Sequence, residues 1–252
     1  MIDWRRKARE GVRLSRKVGA LVREKTYRKG LRRGVAAAIE HREAFFEHEF
    51  RTVVDAGAGR GQFALFALRR FPLAHIHSFE PLPASRGRLA RVASESNRVT
   101  VRDLALGAAA GAQELHISAA RDSSSLLSIT EKQTSAYPGT ESVGRIGVVI
   151  APLDEALPAE ALAGPCLLKI DVQGYELELL RGAERSLAAI DEVLVECSFV
   201  ELYAGQAMAD DVVCHLRERG FRLTGVHSVA RGADGRPLQA DLLFSRRAPG
   251  TR

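Results

Sequence analysis

At 252 residues, 46% of them apolar and 27% charged, the chain is long enough for one well-cored domain with an appendage and too short for two full α/β domains. The net charge of +6 is concentrated: residues 1–33 carry 13 Lys/Arg against 3 acids, a balance of +10 that leaves −4 for the remainder. Cys166, Cys197 and Cys214 show no paired spacing and no CxxC, which argues against a disulfide framework or a cysteine metal site and predicts a reduced, cytoplasmic protein, and no run approaches the ~18–20 apolar residues of a membrane span.

Residues 1–33 contain no proline and place Trp4, Ala8 and Val12, then Leu14, Val18 and Leu21, at helical spacing, which predicts a basic amphipathic arm. Three uses compete for it: a solvated or domain-packed arm, a peripheral contact with an anionic membrane surface, and a grip on nucleic acid. The apolar run Val18–Val22 is too short for the core of a signal peptide. A second helix is expected from Val35 to Glu49, so residues 1–49 form an arm and lead-in helix ahead of a domain over 50–248.

Strands then alternate with helices. Strand Thr52–Asp55 precedes a helix over Gly61–Arg70, strand Ala74–Glu80 a helix over Pro83–Ser96, and strand Val99–Arg102 a glycine-rich turn, Gly107–Gly111. Gln113–Ser118 and Arg145–Ile150 read as two further strands around a polar loop, Ala119–Gly144, whose length suits a lid or binding loop. Asp154 is expected to cap a helix running to Ala163. Strand Cys166–Asp171, helix Tyr175–Ala189, strand Glu192–Ser198 and helix Met208–Arg219 follow, and Phe221–Val229 with Leu238–Arg246 forms a hairpin. Repeated βα units predict an α/β fold with a mostly parallel sheet that binds ligands at the carboxyl ends of its strands. With an antiparallel hairpin at its end, that sheet resembles the seven-stranded sheet of the Rossmann-like class I methyltransferases.

The stretch Val53-Val54-Asp55-Ala56-Gly57-Ala58-Gly59-Arg60-Gly61 reads as strand, tight turn and helix start, with glycines where side chains would keep a ligand from the backbone. Two cofactors compete for it. Gly59-Arg60-Gly61-Gln62-Phe63-Ala64 satisfies G-x-G-x-x-G/A, and Glu80 lies 21 residues beyond Gly59, where a dinucleotide fold places an acid on the ribose. A lone match of this kind would serve an NAD(P) oxidoreductase. The carboxylate of Asp55 beneath the turn would repel a pyrophosphate and attract an ammonium or sulfonium group. That favours S-adenosylmethionine (SAM), held by Asp55, Gly57, Gly59 and Gly61, with Glu80 taking the ribose hydroxyls.

Asp55-Ala56-Gly57-Ala58-Gly59-Arg60-Gly61-Gln62-Phe63, Phe79-Glu80-Pro81, Ser124-Ser125-Leu126, Lys169-Ile170-Asp171-Val172-Gln173-Gly174-Tyr175-Glu176 and Leu180-Arg181-Gly182-Ala183 stand in this order. Together they resemble the FkbM family of SAM-dependent methyltransferases over about residues 50–246. Gly59 stands where that family usually has Asn, and the arm has no counterpart in the resemblance. The resemblance implies O-methylation of a hydroxyl on a small molecule, carbohydrate or natural product. Methylation of RNA or another macromolecule through the basic arm is the alternative, although no aromatic and basic platform for bases is visible.

Methyl transfer needs an aligned acceptor oxygen and a route for its proton. Asp171 at a strand end is the candidate to orient or deprotonate the hydroxyl. Lys169, two residues earlier, is the candidate to hold it ionised, and Glu196 supplies a second carboxylate. With Glu176 these acids would also suit a divalent metal, without ligand spacing to support one. Glu176 otherwise reads as a first-turn acid favourable to its helix. Ser124 and Ser125 are candidates to touch acceptor or cofactor, or are plain turn residues, and Asp103 is a candidate adenine contact. The seven histidines show no metal spacing.

Overall fold

Strand β1 (Thr52–Ala56) is buried at every position, as a strand covered on both faces must be. In the computed structural model, which describes residues 18–246, β1 belongs to a seven-stranded sheet. On one side of β1 lie β2 (His75–Phe79) and then β3 (Val99–Arg102); on the other lie β7 (Cys166–Ile170), β8 (Glu192–Ser198), β10 (Pro237–Ser245) and β9 (Arg222–Arg231). The first five pair in parallel, and β10 is antiparallel to both β8 and β9. The chain steps outward from β1 to β3 and returns on the far side of β1 with β7. That reversal opens a crevice at the carboxyl ends of β1 and β7. The expected α/β sheet with its antiparallel terminal hairpin is therefore the observed fold.

Alternate residues of the strands feed two cores. Val54, Leu168 and Val193 pack with Leu179 and Leu180 of α6 (Glu176–Arg181) and Leu216 of α7 (Ala209–Glu218). Val53, Leu167 and Leu194 pack on the other face with Phe63 and Phe66 of α2 (Gln62–Arg70) and Leu89 of α3 (Pro83–Ala93). The two extra strands predicted on either side of the polar loop do form, as β5 (Gly111–Ser118) and β6 (Ser142–Ala151), but in a separate sheet. Its third strand is the short β4 (Ala105–Leu106), in the order β4-β6-β5.

Four local expectations are corrected. Val35–Glu49 is not a long helix: a 3-10 turn at Ile39–Arg42 is flanked by turns and extended chain. Val35, Ala37, Ala38, Phe45 and Phe50 all enter one core while Phe46 is 80% exposed, a burial pattern no single helical stripe provides. Tyr175–Ala189 breaks after α6, because Gly182 passes so close to Gly107 that a Cβ there would stand 1.9 Å from its carbonyl oxygen. A 3-10 turn at Ser186–Ala189 follows. Asp154 lies inside the short α5 (Leu153–Ala156) and does not cap it; its carboxylate accepts from Arg185 N (2.9 Å), Ser186 N (2.7 Å) and Ser186 Oγ (2.6 Å) across the break. The polar loop 119–144 holds a 3-10 turn at Arg121–Ser123 and helix α4 (Glu131–Ala136), N-capped by Thr130.

Helix α1 (Lys25–Arg32) lies against α2, with Leu21, Tyr27 and Gly30 buried. Lys29 pairs with Glu95 at 2.7 Å, Arg33 pairs with the same carboxylate, and Arg69 pairs with Glu24 at 2.8 Å. Trp4, Ala8, Val12 and Leu14, which the arm reading also used, lie outside the described residues. No helix among the described residues is long and apolar enough to cross a membrane.

Candidate active site

A cleft of about 510 Å³ opens over the carboxyl ends of β1, β2, β7 and β8 and is roofed by the 121–140 segment. Gly57 and Gly59 line it, both with positive φ (71° and 54°). A Cβ on Gly57 would stand 1.8 Å from the carbonyl oxygen of Asp171, so only glycine lets β1 and β7 end side by side. Gly61 does not line the cleft: it starts α2 at φ 96° and packs on Leu89 and Val92 of α3.

Glu80 lines the cleft at the end of β2. Its carboxylate accepts from Gly59 N (2.7 Å) and Leu82 N (2.8 Å), tying the glycine turn to the next strand. Burial pushes its carboxyl up to about 7, against the downward pull of those two N–H groups. Asp103 is exposed, pairs with Arg86 and stays off the cleft, where its neighbours Leu104 and Ala105 supply an apolar wall.

Asp55 is completely buried below the turn and does not line the cleft. The cation beside it is the chain's own Lys169, whose Nζ is 3.3 Å from Oδ1. Burial raises the Asp55 carboxyl, and Lys169 counteracts that. For Lys169 burial acts downward, but Asp171 and then Asp55 outweigh it, so the ammonium is held above its ordinary value. Its Nζ also donates to the carbonyl of Gly57 at 3.0 Å and lies 3.6 Å from Asp171 Oδ2, joining the floor of the turn to the end of β7.

Asp171, Lys169 and Glu196 all line the cleft, as do Ser124 and Ser125. What joins the two carboxylates is Gln173, a non-glycine residue at φ 55°. Its Nε2 donates to Asp171 Oδ1 (2.6 Å) and Glu196 Oε2 (3.1 Å), and its Oε1 accepts from Tyr203 Oη (2.6 Å). Gln239 donates to the same Glu196 oxygen at 2.9 Å. Glu196 faces Asp241 across the β8–β10 pairing, and burial, then Asp171, then Asp241 hold its carboxyl well above the ordinary range. Ser125 Oγ donates to Gln173 O at 2.6 Å and accepts from Leu127 N, while Ser124 Oγ accepts from Ser118 N at 3.1 Å. Ser125 thus fastens the roof to the floor, and Ser124 braces the start of the roof segment. Glu176 stays off the cleft: its carboxylate accepts from Gly174 N and Val172 N and shapes the turn after β7. Among the described residues no group of three or more His, Cys, Asp or Glu is placed to hold a metal ion.

Tyr203, Gln239, Gln133, Tyr137 and His41 also belong to the cleft or its network, and no sequence motif marks them. His41 reaches it from the lead-in segment, with Nδ1 3.5 Å from Asp241. None follows a strand-end acid or a glycine turn. Gln173 did stand within a recognised stretch, but its bridging role depends on a backbone conformation unmarked by residue type.

The match that decides the family follows the strands that build this cleft: residues 55–223 match the methyltransferase FkbM domain. The chain belongs to the FkbM methyltransferases. SAM is the cofactor of that family, so the methyltransferase reading of the chain holds and the NAD(P) oxidoreductase reading falls. Two related proteins match it over most of its length and most of their own. Methyltransferase sdnD of Sordaria araneosa is 24% identical over 244 residues, covering 84% of this chain and 91% of that protein. The 2-O-methyltransferase NoeI of Sinorhizobium fredii (strain NBRC 101917 / NGR234) is 25% identical over 192 residues, covering 73% of this chain and 79% of that protein. Among solved structures, Streptococcus pneumoniae Sp1610 in complex with S-adenosyl-L-methionine aligns with a TM-score of 0.47 at 11% identity, over 83% of this FkbM chain and 72% of that one.

Proposed function

We infer that this FkbM methyltransferase transfers a methyl group to a hydroxyl of a small-molecule or carbohydrate acceptor. The observation that carries the reading is the pair of cleft carboxylates, Asp171 and Glu196, joined through one amide beside a buried lysine. The residues present suit SAM: a glycine turn open to the cleft, a buried carboxylate in Glu80 for the ribose hydroxyls, and an apolar wall at Leu104 and Ala105 for the base. When bound, that cofactor supplies a methyl carbon already activated by its sulfonium.

The chain's own part is to position the acceptor and take a proton. Asp171, 3.6 Å from the Lys169 ammonium, orients the hydroxyl and accepts its proton. Burial and the neighbouring carboxylates raise the Glu196 carboxyl, and both amides donate to its Oε2, so Oε1 is the oxygen left for the acceptor. The two carboxyls thereby take different roles, Asp171 as the base and Glu196 as a hydrogen-bonding partner of the acceptor. NoeI is a 2-O-methyltransferase, a relative that transfers to oxygen.

Transfer of labelled methyl from SAM to a panel of hydroxylated small molecules and glycosides, with RNA as a control acceptor, tests this directly. Product on a hydroxyl, lost in Asp171→Asn, is the expected result. Label appearing in RNA alone would overturn the small-molecule assignment, and calorimetric binding of NAD without SAM would overturn the cofactor assignment.

A further inference from the structure

Helix α4 sits in the roof of the cleft and is held firmly. The Thr130 hydroxyl accepts from Gln133 N at 3.2 Å and donates to Leu202 O at 2.7 Å. At the other end Tyr137 N donates to Gln133 O at 2.8 Å, and Thr140 Oγ1 donates to Tyr137 O at 2.7 Å. Gln133 and Tyr137 are four residues apart, share one face and both line the cleft. Gln133 is only 3% exposed. Its Oε1 and the Tyr137 Oη are shielded from solvent, and neither has a hydrogen-bond partner. Gln173, Ser124 and Ser125, which also line the cleft, each have theirs.

Buried polar atoms are normally paired, so two orphans on one wall of a ligand cleft mark where a ligand group completes the bonding. Their chemistry selects that group. A glutamine Oε1 only accepts and a phenol both donates and accepts, so the matching group must carry an O–H or N–H. An anion has no proton to give the Gln133 Oε1. An apolar group would leave both orphans unpaired.

We propose that Gln133 and Tyr137 form an acceptor subsite that binds a second, uncharged hydroxyl, so that the acceptor is a polyol rather than a mono-hydroxy or anionic compound. The subsite rests on the methyltransferase reading of the same cleft. Its test is ligand-observed NMR on the full chain loaded with S-adenosylhomocysteine, using cyclohexane diol and methyl glucoside against cyclohexanol and cyclohexane carboxylate. The diol and glucoside bind, and the other two do not. Gln133→Leu and Tyr137→Phe each weaken polyol binding by about tenfold with S-adenosylhomocysteine affinity unchanged and no loss of thermal stability, because each removes an unpaired buried polar atom. Unaltered polyol binding in both variants overturns the proposal, as does loss of binding in step with loss of stability. Absence of polyol binding to the parent protein overturns it whether or not the cofactor product binds. If polyols bind by way of Gln133 and Tyr137 while S-adenosylhomocysteine does not, the subsite stands and the cofactor assignment fails.

Discussion

Asp171 and Lys169 are two residues apart on one strand, yet their replacement has different consequences. Asp171 is partly open to the cleft, whereas Lys169 is buried among Asp55, Asp171 and the Gly57 carbonyl. Asp171→Asn keeps the shape and removes the base, so kcat should fall by about 10²-fold or more while S-adenosylhomocysteine affinity holds. Lys169→Met leaves Asp55 as an uncompensated buried carboxyl and should cost about 3–5 kcal/mol of stability, read by denaturant unfolding. Glu80 adds a pH signature. Its carboxyl is raised from 4.5 to about 7, so between those values the folded chain holds a proton that the unfolded chain has released. Its contribution to stability is complete below 4.5 and is lost as pH rises through about 7, and Glu176, also raised to about 7, acts in the same sense. His77, lowered from 6.5 to about 4, acts oppositely but is neutral in both states above 6.5. From pH 6.5 to about 8 the melting temperature of the ligand-free protein should therefore fall, and Glu80→Gln should flatten part of that slope. Cofactor-product affinity should rise over the same window, since ribose hydroxyls donate to the ionised carboxylate. A Kd independent of pH would remove Glu80 from the ribose.

Among the elements, the break between α6 and the 3-10 turn at Ser186–Ala189 depends on two residues distant in sequence from each other. Gly182 has no room for a side chain against Gly107, and Asp154 satisfies the N–H groups freed by the break. Those bonds hold the Asp154 carboxyl below its ordinary value against the opposing effect of burial. Asp154→Ala should lower stability by about 1–2 kcal/mol, and the loss should shrink toward acid pH as the parent carboxylate is protonated. Both effects can be read from unfolding midpoints at two pH values. Strand elements were more legible than helices in the sequence. Glu192–Ser198 is bounded as its apolar run suggests, because a buried parallel strand shows as a short continuous run. The lead-in segment was less legible, since its alanines and apolar residues fit a helix locally while its actual packing is set by α2 and the sheet.

Across the whole molecule, the arm is joined to the domain through α1. Gly30 allows the contact: a Cβ there would meet Leu65 Cδ1 at 2.4 Å and Val35 O at 2.8 Å. Gly30→Ala should cost about 1–3 kcal/mol and expose 18–33 to limited proteolysis while the cleft still binds cofactor. An unchanged digestion pattern would show that the contact does not hold the arm.

The sequence by itself determined the order of βα units, the ligand edge of the sheet, and the strand-end positions of Asp55, Glu80, Asp171 and Glu196. Those features are local: an apolar run, a glycine where φ turns positive, an acid where a strand stops. Only the tertiary structure decided what each acid touches. Asp55 meets Lys169 instead of the open cleft, and Asp103 turns outward to Arg86. Gln173 joins two carboxylates across neighbouring strands, and Gln133 and Tyr137 come down from the roof with unpaired polar atoms. Hydrogen bonds between residues 23 to 30 positions apart depend on strand order and on the turn at Gln173, and no periodicity along the chain records either.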